Sequence, residues 1–165
     1  MKCTLKQHSS ECMAMDSEQT IKFFNADIEF QVPAPSEILA WLNALLSAES
    51  RSAENIEYVF CSDEYLLDIN KRYLEHDYYT DIISFSIEDD PIEATIYISV
   101  DRVKDNAQKI GVEFLDEFHR VLAHGLLHLC GYLDKTDEEE KLMREKENQY
   151  LDIRQPALRL MENKN

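Results

Sequence analysis

The positions of apolar side chains along the chain predict a small set of strands. Segments rich in β-branched and aromatic residues are typical of strands, and four such segments are bounded by turn or cap signals: 21–31, 55–62, 81–87 and 94–100. The last two are separated by the turn-forming sequence EDDP. We therefore expect these two strands to form a hairpin.

Helical periodicity fills the remaining intervals. Apolar residues spaced three and four apart predict five helices, two of which are followed by a glycine. These helices span residues 36–48, 64–74, 101–109, 113–130 and 137–151. The element order β-α-β-α-β-β-α-α-α predicts an α+β fold in which a small mixed β-sheet is packed with helices.

The length of the chain indicates one domain. Its 165 residues suffice for a single hydrophobic core. Residues 1–18 are polar and aperiodic and predict a disordered leader, residues 19–153 form the predicted domain, and residues 154–165 form a C-terminal tail. No apolar run approaches a membrane span of about 20 residues, and the N-terminus lacks the pattern of a secretory signal. We therefore expect a cytoplasmic protein that does not enter a membrane.

One predicted helix stands apart from the others because it is apolar on nearly every side. This helix, residues 113–130, is therefore expected to lie buried at the centre of the domain. A single polar stripe interrupts it, since Asp116, Arg120, His124 and His128 recur every four residues and share one face. Polar groups on a buried helix need partners, so this stripe marks the candidate site.

The two histidines at the end of the stripe have the spacing of metal ligands. His124 and His128 lie one helical turn apart, which lets both imidazoles reach one ion. Gly131 ends the helix, and Asp134 can fold back as a third ligand. Two histidines and one carboxylate, with a fourth position open to water, form a catalytic zinc arrangement. We predict one zinc ion per chain, with Asp137 as the competing third ligand or, as we favour, a helix cap.

Two features bear on this prediction. A lone pair of histidines is also compatible with two hydrogen-bonded core residues, without any metal. Gly125 lies between the histidines, where zinc peptidases carry a general-base glutamate, so a peptidase is disfavoured. A glycine inside a helix costs about 1 kcal/mol relative to alanine. We therefore expect something to approach the backbone there, for example a substrate.

Composition narrows the classes of function. The chain has only three glycines, and these cannot form a Walker A loop, a dinucleotide-binding fingerprint or a G-x-S-x-G elbow. Its four cysteines contain no C-x-x-C pair, and we predict that none is catalytic. The formal net charge is −16, which repels nucleic acid over most of the surface. An RNA partner would have to meet a local patch or be delivered by another protein.

Two segments resemble the YbeY family of bacterial metal-dependent single-strand endoribonucleases. Residues 124–147, HGLLHLCGYLDKTDEEEKLMREKE, are similar to the family pattern H-G-x-L-H-L-x-G-Y-x-H followed by M-x-x-x-E, here Met143 and Glu147. Residues 69–85, INKRYLEHDYYTDIISF, are similar to L-N-x-x-Y-R followed by T-D-V-L-S-F. The resemblance covers roughly residues 20–152, and the strand order agrees with it.

The chain departs from the family pattern at three places. Asp134 replaces the third histidine, and a carboxylate also binds zinc. The opening Gly-Asp of the last strand is Ala94-Thr95, a change for which we have no physical account. Leu74 replaces an arginine to which the resemblance assigns phosphate binding or catalysis.

The missing arginine raises the question of which cation faces the phosphate. Lys71 lies three residues before Leu74 and shares its helical face, so we predict Lys71 as this cation and Arg120 as the second catalytic candidate. Lys71 as an ordinary surface lysine is an equally acceptable interpretation. His76, in the following loop, is also within reach.

The resemblance implies a zinc-dependent, single-strand-specific endoribonuclease. It further implies a role in maturation of ribosomal RNA, including the 3′ end of 16S rRNA, and in ribosome quality control. The implied partners are ribosomal small-subunit proteins or a ribosome-associated GTPase. Two alternatives stay open: a metal-stapled ribosome-assembly or binding factor without nuclease activity, and a metal hydrolase of another small substrate.

Overall fold

The computed structural model describes residues 20–154. The predicted disordered leader, residues 1–18, lies outside the described residues, as does the predicted tail from residue 155 onward. The nine elements follow the predicted order, and their bounds are β1 Ile21–Asn25, α1 Pro35–Ala48, β2 Ala53–Cys61, α2 Asp63–Leu74, β3 Ile82–Asp89, β4 Ile92–Ser99, α3 Val100–Ile110, α4 Phe114–Leu129 and α5 Asp137–Asp152. The α+β prediction is confirmed.

The four strands form one mixed sheet in the order β1-β2-β4-β3. β1 and β4 both run parallel to β2, whereas β3 runs antiparallel to β4, which confirms the predicted hairpin. β3 is an edge strand of this sheet. Its first residues lie beside the C-terminal half of α4, where the candidate ligands are.

The first strand is shorter than predicted. β1 ends at Asn25, not at residue 31, because polar side chains take the chain out of the sheet. Asn25 Nδ2 donates to the Phe30 carbonyl at 3.0 Å, and the Asp27 carboxylate accepts from the Ser62 backbone at 2.9 Å. These local hydrogen bonds compete with the ladder, so residues 26–34 form an irregular connection.

The predicted central helix is confirmed as α4, which packs across one face of the sheet. Apolar residues from α1, α4, α5 and the sheet form the main core under it. Two buried polar atoms tie the layers together, since Tyr58 donates to the Leu122 carbonyl at 2.8 Å and Trp41 Nε1 donates to the Tyr150 carbonyl at 2.7 Å. Each of these donors is therefore satisfied inside the core.

The close approach of helix and sheet explains Gly125. A Cβ atom at this position would lie 2.7 Å from Ile82 Cδ1 and 3.2 Å from Ile96 Cγ2, so both side chains would have to shift to admit one. The expected close neighbour is therefore the sheet, and no substrate is needed to explain the glycine. The glycine instead allows the histidine-bearing helix to seat firmly on β3 and β4.

On the opposite face of the sheet, α2 covers part of the surface with a second, smaller apolar cluster formed by Cys61, Leu66, Ile69 and Ile83. The connection from α2 to β3 then crosses the sheet edge towards the end of α4. None of the helices between residues 20 and 154 combines the length and apolarity that crossing a membrane needs.

Candidate metal centre

The structure brings His124, His128 and Asp134 together, as the spacing predicted. The two Nε2 atoms lie 3.0 Å apart, and Asp134 Oδ2 lies 3.2 Å from Nε2 of His128 and 3.5 Å from Nε2 of His124. Within residues 20–154, this is the one group of three histidine, cysteine or acidic residues whose ligand atoms converge in this way. Their side chains are 22%, 27% and 41% exposed, so the group opens to solvent.

A tight turn after α4 returns Asp134 to the histidines. Gly131 adopts a φ of 106°, a left-handed conformation that glycine accepts at low cost. Its N–H donates to the His128 carbonyl at 3.0 Å, and the Tyr132 N–H donates to the Leu127 carbonyl at 3.1 Å. These bonds end the helix and reverse the direction of the chain just before Asp134.

Asp137 does not join the ligand group. It is the first residue of α5, and the residue that caps this helix is Thr136, whose hydroxyl accepts from the Glu139 N–H in a capping box. The expectation that Asp137 itself caps the helix was therefore wrong by one position. Asp137 contributes a negative charge to the first turn, where it interacts favourably with the helix dipole.

Hydrogen bonds from Nδ1 fix the orientation of both imidazole rings. His128 Nδ1 lies 2.9 Å from the Tyr132 carbonyl oxygen, and a carbonyl can only accept, so Nδ1 carries the proton. His124 Nδ1 lies 2.8 Å from Oε1 of Glu147, a carboxylate on α5 that is 4% exposed. Both rings therefore turn an Nε2 lone pair towards Asp134, as metal-binding histidines do.

The electrostatics of the centre favour a cation. Burial works against the charged form of His124, but the hydrogen bond and charge of Glu147, with Asp134 and Asp81, outweigh it and raise the pKa of His124 above its ordinary value. Burial also acts to raise the pKa of Glu147, but hydrogen bonds from His124 and Arg120 outweigh it and lower that pKa. The three ligand atoms therefore present a negative potential that a divalent ion would neutralise.

The candidate ligands His124, His128 and Asp134 line a cleft of about 710 Å³. The loop from α2 to β3 and the first residues of β3 line the same cleft. Polar side chains from these elements line the cleft: Asn70, His76, Tyr78, Thr80, Asp81, Ser84, Ser86 and Lys135. Burial raises the pKa of the Asp81 carboxyl among them.

The two predicted catalytic cations do not enter this cleft. Lys71 Nζ forms an ion pair with Asp77 at 3.0 Å on the protein surface, and the cleft lining does not include it. Arg120 Nη1 donates to Glu147 at 2.9 Å and to Asn148 at 3.0 Å, behind the His124 ring. The structure thus places Arg120 one residue removed from the candidate metal ligands, as a partner of Glu147.

Sequence reasoning did not assign Glu147 a role, although the residue was part of the motif that carried the resemblance. Its position depends on how α5 docks against α4, across 23 residues of chain from His124. The available signal was its periodicity: Met143, Glu147, Tyr150 and Leu151 form the buried face of α5. A glutamate within an otherwise apolar buried stripe needs a partner.

Comparisons with known proteins identify the family of this chain. The sequence profile described as Endoribonuclease YbeY matches residues 20–155. A relative of that name from Cytophaga hutchinsonii is 52% identical over 139 residues, which cover 83% of this chain and 97% of the relative. Another from Flavobacterium psychrophilum is 44% identical over 131 residues, covering 79% of this chain and 94% of the relative.

A solved structure supports the fold as well. The solution structure of a Thermotoga maritima protein superposes with a TM-score of 0.61 at 22% identity, covering 87% of this chain and 93% of that one. At this identity the likeness bears on architecture alone. The profile match and the extent of the sequence identities show that this chain belongs to the YbeY family of endoribonucleases.

Proposed function

We propose that the protein is a zinc-dependent endoribonuclease that cuts single-stranded RNA. The observation that carries this proposal is the convergence of two imidazole Nε2 atoms and one carboxylate oxygen at the wall of an open cleft. This donor set suits zinc. Bound there, zinc would supply a Lewis acid and a water whose pKa falls to about 7. His124, His128 and Asp134 would hold the ion where they line the cleft.

The number of ligands favours a catalytic site over a structural one. Structural zinc sites are closed by four protein ligands, whereas catalytic sites use three and keep one position for water. The described residues provide three converging ligands, and their side chains are 22–41% exposed. Three ligands and an exposed site argue against the alternative of a ribosome-assembly or binding factor whose zinc has only a structural role.

The surrounding residues would hold the ligands in place. Glu147 accepts from His124 Nδ1, and Arg120 in turn donates to Glu147. We therefore propose that Arg120 is a positioning residue that acts through Glu147. Lys71, which pairs with Asp77 outside the cleft, has no role in this proposal.

We further propose that the substrate is ribosomal RNA, including the 3′ end of 16S rRNA, in the cytoplasm. This rests on the family resemblance. The net charge of −16 disfavours unaided binding of a polyanion. Delivery by ribosomal small-subunit proteins or a ribosome-associated GTPase would overcome this barrier.

The test is cleavage of an RNA that contains both a hairpin and a single-stranded tail. The zinc-loaded protein should cut only the tail, lose activity with a chelator and regain it when zinc is restored. His128→Ala should be inactive, whereas Asp137→Asn, an acidic residue beside but outside the ligand group, should stay active. Cleavage by the chelated protein, or no cleavage by protein that holds one zinc per chain, would contradict the proposal.

A further inference from the structure

The loop between α2 and β3 presents a pair of stacked aromatic rings to the cleft. The rings of His76 and Tyr78 lie parallel, with centroids 5.1 Å apart and an interplanar angle of 22°. The Tyr78 hydroxyl and His76 Nδ1 are 3.0 Å apart and hydrogen-bonded. Both residues line the same cleft as His124 and His128, so the stack and the candidate metal ligands border one space.

The backbone of this loop is held by a buried side chain. Asn70, which is 1% exposed, donates from Nδ2 to the Tyr78 carbonyl at 2.8 Å. The main-chain carbonyl of Asn70 accepts from the His76 N–H at 3.1 Å. These two hydrogen bonds hold the loop backbone on both sides of Asp77, at the two residues that carry the stacked rings.

Core packing does not explain why the rings lie where they do. Tyr78 is 56% exposed, and His76 is exposed as well. The next residue, Tyr79, faces elsewhere: its hydroxyl donates to Glu64 at 2.6 Å and its ring contacts the Arg102 guanidinium at 4.8 Å. Tyr79 thus makes structural contacts, whereas Tyr78 lines the cleft.

Charge indicates how an RNA strand would gain affinity here. The cleft lining contains the acidic groups Asp81 and Asp134 and only one lysine, Lys135. Few phosphates can be neutralised by such a surface, so counterion release contributes little. Stacking of bases on aromatic rings does not depend on positive charge and supplies affinity for single strands.

We propose that the His76–Tyr78 stack is the platform for one nucleobase of the single-stranded RNA, next to the phosphodiester at the metal. This inference rests on the proposed function and deepens it. A base in a duplex is already stacked on its neighbours and cannot reach the rings, whereas an unpaired base can. The platform therefore contributes to selection of single-stranded RNA.

The experiment uses a short single-stranded RNA that carries a fluorescent adenine analogue, whose emission is quenched when it stacks on an aromatic ring. The probe is titrated with the zinc-loaded full chain. Binding should quench the fluorescence, and Tyr78→Ala should abolish the quenching and weaken binding on the order of ten-fold. Tyr78→Phe, which keeps the ring but loses the hydroxyl, should retain the quenching.

A matched control comes from Tyr73, which is 69% exposed and lies outside the cleft. Tyr73→Ala should bind and quench like the wild type. Binding without quenching, no binding of the probe, or equal affinity for Tyr78→Ala and wild type would overturn the platform. Cleavage of the same RNA is measured separately, so quenching without cleavage would support the platform and contradict the proposed nuclease function.

Discussion

Helix α4 carries two kinds of histidine, and their surroundings are opposite. His119 is 1% exposed, its ring packs edge-on against Trp41, and its Nδ1 lies 2.9 Å from Arg154 Nη1. Burial, with the nearby Arg154 charge, lowers the pKa of His119 to about 4. His124, just over one turn later, bonds to the Glu147 carboxylate and has a raised pKa.

The difference shows what distinguishes a candidate metal ligand from a core histidine on one helix. An arginine beside His119 disfavours any further positive charge, whereas carboxylates on two sides of His124 attract it. Burial alone does not separate the two, because it works against the charged form of both. The sign of the neighbouring charges distinguishes the two histidines. The docking of α5 and the turn that leads to Asp134 determine which charges lie nearby.

The largest effect is expected from removing the carboxylate ligand. Asp134→Asn replaces an anionic ligand by a neutral amide, and we expect zinc affinity to fall more than about 100-fold, beyond the range of an outer partner. Competition with a colorimetric chelator measures this. Asp137→Asn is the control and should change affinity little; the reverse ranking would make Asp137 the third ligand.

Removal of the charge behind His124 should have the next largest effect. Glu147→Gln keeps the shape of the side chain but loses the carboxylate that orients the imidazole, so zinc affinity should fall about 10- to 100-fold. Glu145→Gln, an exposed neighbour on α5, should leave it unchanged. If both variants bind zinc like the wild type, Glu147 does not support the site.

The low pKa of the buried His119 should make the free energy of unfolding depend on pH. The pKa of His119 is about 4 in the folded chain and about 6.5 when unfolded, so the unfolded chain binds the extra proton and stability is lost as the pH falls from about 6.5 towards 4. Between pH 7 and pH 5 this loss is about 2 kcal/mol. Urea unfolding at both pH values should show it in the wild type, and His119→Gln should reduce the difference by that amount. Equal differences in both proteins would show that His119 is not the source.

The smallest effect is expected at Lys71. Lys71 forms an ion pair with Asp77 in which the lysine side chain is 47% exposed and the aspartate side chain 80% exposed. Such surface pairs contribute about 0–1 kcal/mol to stability. Lys71→Ala should therefore change RNA cleavage less than about two-fold, given the small energy at stake. A large loss of cleavage in Lys71→Ala would identify the lysine as the phosphate-facing residue.

An arginine at position 74 should have the opposite effect. Leu74→Arg adds a cation at a position that lines the cleft, and the cleavage rate of this variant should exceed that of the wild type.

The sequence predicted local features of the site better than those that depend on docking. His124 and His128 follow from helical spacing, and Asp134 follows from a glycine helix stop, all within one short segment. The helical-face argument placed Lys71 and Leu74 together, yet only Leu74 lines the cleft, because the long lysine side chain turns to Asp77. Periodicity gives the face of a helix but not the direction of a flexible side chain at its edge.

The same distinction holds for the fold. The hairpin and the buried helix were predicted because strong apolar patterns and a short turn specify them. The end of the first strand was missed because a hydrogen bond from the Ser62 N–H to the Asp27 carboxylate, 35 residues apart in sequence, ends it. The reason for Gly125 was missed because it depends on contacts with Ile82 and Ile96 across the core.

The central claim is that the exposed end of α4, and not its buried histidine, holds one zinc ion. Elemental analysis of the purified wild type, His124→Ala and His119→Gln tests it most directly, with folding checked by circular dichroism. The account predicts one zinc per chain in the wild type and in His119→Gln, and none in a folded His124→Ala. Zinc retained by His124→Ala at the wild-type level would contradict the account.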